Sequence, residues 1–296
     1  QTHLLRSIEQ QQDDPILGTV PSSITFSNYR EGFPTHRVET TNGIVVRELD
    51  CEVTIDGEAP DFALPKGWTM PRADAPPQEE IRKLADGVWA DTARGNALFV
   101  EMADHVVAIE APNSIASAQT TIDAIHRTIP DKPIRYFAFT HPHSDHAGGT
   151  AAYVNAGATI ITTPANVRWV NALAHLTRKP VIETVKSTRT LKDATHTIEL
   201  FALRTSHVEE QLFAWLPKER ILFQADLFFA AATGPIGPQF PHTLRELRAA
   251  LARRGIKDIK YVIDPDGRIA TGEEFAAATP HPPSAPSPRR AGRGPG

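Results

Sequence analysis

The stretch Phe139-Thr140-His141-Pro142-His143-Ser144-Asp145-His146-Ala147-Gly148-Gly149 decides how the rest of the chain is read. The apolar run IRYFAFT over residues 134–140 leads into it and has the length of a buried strand. Three imidazoles and a carboxylate then fall within six residues. Protonated together, the imidazoles repel; neutral, they present lone pairs that need partners. A divalent cation removes both difficulties. His141 and His143 stand two apart, so an extended loop turns both to one side. Asp145 and His146 turn toward a second position as a helix begins. Gly148-Gly149 carries no side chain and lets the loop pack against backbone.

Outward from this stretch, strand-like and helix-like runs alternate from about residue 81. Residues 97–102 and 105–110 predict a hairpin around Ala103-Asp104. Residues 114–128 have helical spacing, 146–156 read as one helix, and 158–163 as a strand. Pro164 suits the first position of a helix running to residue 175. Further strands are expected at 197–204, 211–216, 221–225 and, as the last, 259–263, with a basic amphipathic helix at 240–254 stopped by Gly255. This alternation argues for a layered α/β architecture.

Residues 1–80 differ. Short β-branched runs at 23–27, 44–49 and 51–55 are separated by turn residues, among them Asn42-Gly43, a strong hairpin signal. We read 1–80 as a small antiparallel β-unit followed by a Pro- and acid-rich linker over 56–80. Residues 81–275 form the main domain and 276–296 a Pro/Gly/Arg-rich disordered tail. The first residue is Gln1 and the chain has one cysteine, Cys51, which fits a processed periplasmic or secreted protein and is also compatible with the cytoplasm.

Composition excludes several classes. The chain has 296 residues, 41% hydrophobic and 22% charged, with net charge −4. No basic field exists to attract nucleic acid, and no apolar run reaches the ~18 residues a membrane span needs. A lone cysteine excludes an intrachain disulfide and any Cys-rich zinc module. The partner expected is a small-molecule substrate; nothing in the sequence speaks to oligomeric state.

The HxHxDH pattern after a strand resembles the metallo-β-lactamase superfamily of metal-dependent hydrolases, over roughly residues 82–270. Residues 85–89 (ADGVW) resemble that family's opening strand, with Asn96 where the next begins. Thr205-Ser206-His207 ahead of residues 212–216 resembles its third motif, and Leu222-Phe223-Gln224-Ala225-Asp226 its fourth. The resemblance implies an αββα sandwich with a metal site at one edge between the sheets. It assigns His141, His143 and His207 to a first metal position, Asp145 and His146 to a second, and Asp226 to a bridge. Asp145 is also the candidate catalytic residue. Zinc is the implied metal, as one or two ions, and the implied chemistry is a metal-activated hydroxide attacking a carbonyl carbon.

One position departs from the family. Relatives end the last strand with a sequence like P-x-H-G, whose His completes the second site; here Asp264-Pro265-Asp266-Gly267 places Asp266 there, with Asp264 as a neighbouring competitor. A second position built from Asp145, His146, Asp226 and Asp266 is oxygen-rich, so manganese or iron becomes an option beside zinc. The expected activity is hydrolysis of an ester, lactone, thioester or amide, a β-lactam among them. The alternative is a degenerate member that binds metal or ligand without turnover; redox use of iron is a third, remoter reading. His105, His126, His175, His196 and His242 read as surface or hydrogen-bonded histidines. His242 and the loop 233–240, with Leu227-Phe228-Phe229, lie near the expected mouth.

Overall fold

A computed structural model describes residues 4–14, 16–53, 81–93, 95–231, 234–237 and 239–279. The linker expected at 56–80 and the tail over 280–296 lie outside the described residues.

Four strands open the chain: β1 (Ser7–Asp14), β2 (Gly18–Arg30), β3 (Phe33–Thr41) and β4 (Ile44–Asp50), an antiparallel sheet in sequence order. Asn42 (φ 51°) and Gly43 (φ 75°) make the two-residue turn between β3 and β4. Both central residues need positive φ, which is why Asn-Gly predicted it. The strand expected at 51–55 does not form over residues 51–53.

Seven strands build the second sheet, in the order β11-β10-β9-β8-β7-β6-β5. They are β5 (Ile81–Ala85), β6 (Val88–Asp91), β7 (Ala97–Glu101), β8 (Val106–Ile109), β9 (Ile134–Ala138), β10 (Thr159–Thr162) and β11 (Val181–Thr184). β5 to β8 pair antiparallel, whereas β8 to β11 pair parallel through helical crossovers. Six strands build the third sheet, ordered β12 to β17: β12 (Thr188–Lys192), β13 (Thr197–Leu203), β14 (Gln211–Leu216), β15 (Ile221–Phe223), β16 (Tyr261–Ile263) and β17 (Ala270–Thr271). β17 follows the strand expected to be last.

Alternation along the strands fixes the layers. Leu98, Val100, Val107 and Ile109 meet Leu200, Leu212, Ala214 and Phe223 in the core between the two large sheets. The intervening residues Phe99, Val106 and Ala108 face outward onto α1 (Ile115–Thr128). On the other side Phe213, Trp215, Leu222 and Val262 pack on Leu244, Leu247 and Leu251 of α5 (Pro241–Arg253) and Phe275 of α6 (Gly272–Ala277). A period of two on each strand buries both faces, giving helix, sheet, sheet, helix. The expected αββα sandwich is the observed one.

The helix expected over 146–156 is two helices, α2 (Ser144–Ala147) and α3 (Thr150–Ala156), separated by Gly148-Gly149. The break lets the chain turn beside α1. A Cβ on Gly149 would overlap Ala118 Cβ and Ser114 O, and one on Gly148 would overlap Asn113 O. After Pro164 a single 3₁₀ turn and the short α4 (Val167–Asn171) replace the longer helix expected to residue 175. The last two residues of α6 fall where the tail was expected to start. Among the described residues no helix is long and apolar enough to cross a membrane.

Candidate metal centre

Strand ends gather the site at one edge of the sandwich. β9 delivers the loop carrying His141 and His143, and α2 carries Asp145 and His146. His207 lies between β13 and β14, Asp226 after β15, and Asp266 after β16. The two large sheets are stitched at this edge, where Leu212 N donates to Thr140 O (2.8 Å).

Two groups of ligand-type side chains result: His141, His143, His207 and Asp226 in one, and Asp145, His146 and Asp266 in the other. Within each, the nearest ligand atoms lie within 4.8 Å of one another. Asp226 joins them, since its Oδ2 stands 2.8 Å from His207 Nε2, 3.2 Å from His141 Nε2 and 3.2 Å from His146 Nε2. His146 Nε2 also lies 3.8 Å from Asp145 Oδ2 and 3.7 Å from Asp266 Oδ2. Of the seven residues singled out in the sequence, Asp226 thus links the other six, His141, His143 and His207 in its own group and Asp145 and Asp266 through His146. Asp264, the competitor, does not join either group.

The chemistry of this donor set fits a cation. His141 Nε2 lies 2.9 Å from His143 Nδ1 and 3.3 Å from His207 Nε2. One ring nitrogen cannot satisfy two other imidazole nitrogens and a carboxylate with a single proton, whereas lone pairs around an ion do so without conflict. His146 is fully buried, and its ring nitrogens face the Asp226 and Glu110 carboxylates at 3.2 and 3.5 Å without meeting hydrogen-bond geometry. An ion on Nε2 would satisfy that nitrogen more fully than these contacts do.

The electrostatics differ between the two groups. Burial, helped by the neighbouring imidazoles and opposed by Asp226, depresses His141 to about 4. Burial and His207 also depress His143. These rings are held neutral, the form that ligates. Burial alone would lower His146, but the Asp226 and Glu110 carboxylates outweigh it and push it up to about 11. Burial would raise Asp226, and its three imidazole neighbours overcome this and hold it far below the ordinary carboxylate range. Asp266 is raised by burial against the pull of His146.

Two supporting residues were not assigned these roles from sequence. Glu110, fully buried, accepts from Thr140 N (3.1 Å) and from the Thr140 hydroxyl (3.3 Å), and its Oε1 stands 3.5 Å from His146 Nδ1. The Thr140 hydroxyl in turn accepts from His141 Nδ1 (3.1 Å), leaving Nε2 of His141 as the lone-pair face. A carboxylate behind a ligating histidine fixes its ring and tautomer. Asp264, also buried, accepts from Gln224 Nε2 (2.9 Å), Asp226 N (3.0 Å) and Asp266 N (3.0 Å). It holds the backbone of both carboxylates, including Asp226 at a positive φ of 61°. The sequence offered one signal for Glu110, an acid ending a buried strand; Asp264 was visible only as a rival ligand.

No protein-family model matches the chain. A metallo-β-lactamase from Pontibacter korlensis is 19% identical, with TM-score 0.54, over 67% of this chain and 95% of that one. The metallo-β-lactamase FIM-1 from Pseudomonas aeruginosa, in its mono-zinc form, is 20% identical with TM-score 0.52 over 68% and 94%. The chain has the metallo-β-lactamase fold. Among curated relatives, a metallo-β-lactamase type 2 of Elizabethkingia meningoseptica is 23% identical over 156 residues, 49% of this chain and 61% of that protein. The 2,4-dinitroanisole O-demethylase subunit alpha of Nocardioides sp. (strain JS1661) is 24% identical over 197 residues, 64% and 56%. The chain thus spans about three fifths of the curated relatives it matches. Within the metallo-β-lactamase fold, the His/Asp cluster occupies the sheet edge where a metal site was expected.

A cavity of about 620 Å³ opens onto the cluster. His143, Asp145, His207 and Asp226 form one wall; Phe228, Phe229, Phe240 and His242 line another. His242, set aside as a ligand, is a wall residue instead.

Proposed function

We propose that this chain is a metal-dependent hydrolase of a small carbonyl compound: an ester, lactone, thioester or amide, with the β-lactam ring as one case. The observation that carries the reading is the convergence of His141, His146 and His207 on a single oxygen of Asp226 at the wall of an open cavity.

His141, His143, His207 and Asp226 would hold one ion, and Asp145, His146 and Asp266 with the shared Asp226 a second. The imidazole-rich group suits zinc; the carboxylate-rich group also accepts manganese or iron. When bound, the ion supplies Lewis acidity and a water acidified to near neutrality. The protein supplies the rest. Glu110 and Thr140 orient His146 and His141. Asp264 fixes the loops of Asp226 and Asp266. Asp145, which faces the cavity, orients the attacking water and takes its proton at the carboxylate.

The test is a panel of ester, lactone, thioester and amide substrates with protein stripped by chelator and reloaded with zinc, manganese or iron. Turnover that disappears with the chelator and returns with metal is expected. Asp145→Asn should lower kcat by ~10²–10⁴ while the first ion stays bound. Stoichiometric metal with no turnover on any substrate would contradict catalysis and favour a binding-only member.

A further inference from the structure

We propose that the group selected by this site is a bulky, uncharged apolar group, aryl or branched alkyl, attached to the scissile carbonyl compound, and that Phe229 and Phe240 recognise it. This rests on the hydrolase reading above for the reaction, but not for the binding.

Large apolar side chains are normally withdrawn from water, because burying their surface is favourable. Here Phe229 is 44% exposed and Phe240 is 77% exposed. Both line the cavity that also takes in His143, His207 and Asp226. They are not loose loop residues. The Gln239 side chain accepts from Phe229 N (2.8 Å) and donates to Phe229 O (2.9 Å), clamping the two ends of the segment that presents both rings. Gln239 is itself buried and also donates to Gly237 O (2.9 Å). Behind the rings, Phe228 and Leu227 are buried in the helix-side core, so the wall is backed by packed side chains. Phe240 also serves as the N-cap residue of α5, where Pro241 opens the helix, which fixes the direction of its Cα–Cβ bond.

The lining has no lysine or arginine among the described residues, and its carboxylates are Asp145 and Asp226. Arg245, whose guanidinium donates to Pro241 O (2.9 Å) and stands 3.1 Å from the lining residue His242, is not itself part of the lining, so its charge is engaged behind the rings and not presented to the selected group. An apolar group covers both rings and leaves the polar wall to the carbonyl. A cavity of about 620 Å³ holds a drug-sized molecule, well above what an acetyl or formyl compound fills.

Binding can be read without turnover. The neutral fluorophore N-phenyl-1-naphthylamine is titrated into metal-free protein, alongside the anionic 1-anilinonaphthalene-8-sulfonate of similar ring size. The neutral probe should bind at least as tightly as the anionic one, and Phe229→Ser and Phe240→Ser should each weaken it by about tenfold, with unchanged far-ultraviolet circular dichroism. Phe240→Leu should retain most of the affinity. With metal loaded, esters of one leaving group should show higher kcat/KM for benzoyl than for acetyl or succinyl, and the benzoyl-to-acetyl ratio should fall in both serine variants. Neutral-probe affinity unaltered in both serine variants, or a clear preference for the anionic probe, would overturn the proposal. Weakened probe binding with no ester hydrolysed would leave the apolar subsite standing and remove the hydrolase reading alone.

Discussion

At the scale of single residues, the ligands divide by how locally they are encoded. His141, His143, Asp145 and His146 lie within six positions, so their chemistry is readable without a fold. His207, Asp226 and Asp266 are spread over about sixty residues, and only their order in a resembling family tied them to the motif. Glu110 was missed because its contact with His146 exists only once β8 and β9 are side by side. Glu110→Gln keeps the shape and removes the anion behind that ring. It should weaken metal affinity ~10–100-fold, measured by competition with a chelating dye, without lowering the melting temperature of the metal-free protein. Unchanged affinity would remove Glu110 from the account.

At the scale of elements, what sequence reading missed has physical reasons. β11 (VIET) and β12 (TRTLK) lie at the outer edges of their sheets, mix charged with β-branched residues and are largely exposed, so neither showed an apolar pattern. Between α2 and α3 the backbone of Gly148 and Gly149 passes too close to the start of α1 for a Cβ at either position. Gly149→Ala should cost ~1–3 kcal/mol in denaturant unfolding, because Ala118 and Ser114 of the α1 end must give way. It should also weaken metal binding by moving His146; full stability would refute the close approach. At the other end of the domain, Thr271 and Glu274 close a capping box at α6. Glu274 is held down to about 2, first by the Arg268 guanidinium and then by Thr271 N. Its folded pKa lies below its ordinary 4.5. Its contribution is therefore present above pH 4.5 and lost as pH falls toward 2. The melting temperature of Glu274→Gln should lie below that of the unsubstituted protein at pH 6, and the gap should close by pH 2. A gap that does not shrink would mean the carboxylate is not the stabilising form.

At the scale of the molecule, the alternation of strand-like and helix-like runs made a layered α/β architecture legible, whereas the αββα sandwich followed from the resemblance carried by the HxHxDH motif. In the four-stranded sheet at the start, β2, β4 and the Asn42-Gly43 turn were legible, whereas β1, β3 and the burial were not. Among the described residues before residue 81, only Ile16 and Val20 are buried hydrophobics, and every residue of β4 is exposed. Ile16 enters the helix-side core of the sandwich, and its carbonyl accepts from Ala174 N (2.7 Å). With so little buried apolar surface, amides of β1–β4 should exchange with deuterium far sooner than those of β7–β9. Equal protection would mean the sheet is buried in some way that a single chain does not show.

Catalysis as proposed for this chain depends on the cluster being a metal site. Equilibrium dialysis of chelator-treated protein against buffered zinc, with bound metal counted by plasma mass spectrometry, tests this most directly. At least one zinc per chain is expected at micromolar free metal, with Asp226→Asn sharply reducing it because that carboxylate serves both groups. No stoichiometric zinc, manganese or iron in the unsubstituted chain, or metal retained in full after Asp226→Asn, would contradict it.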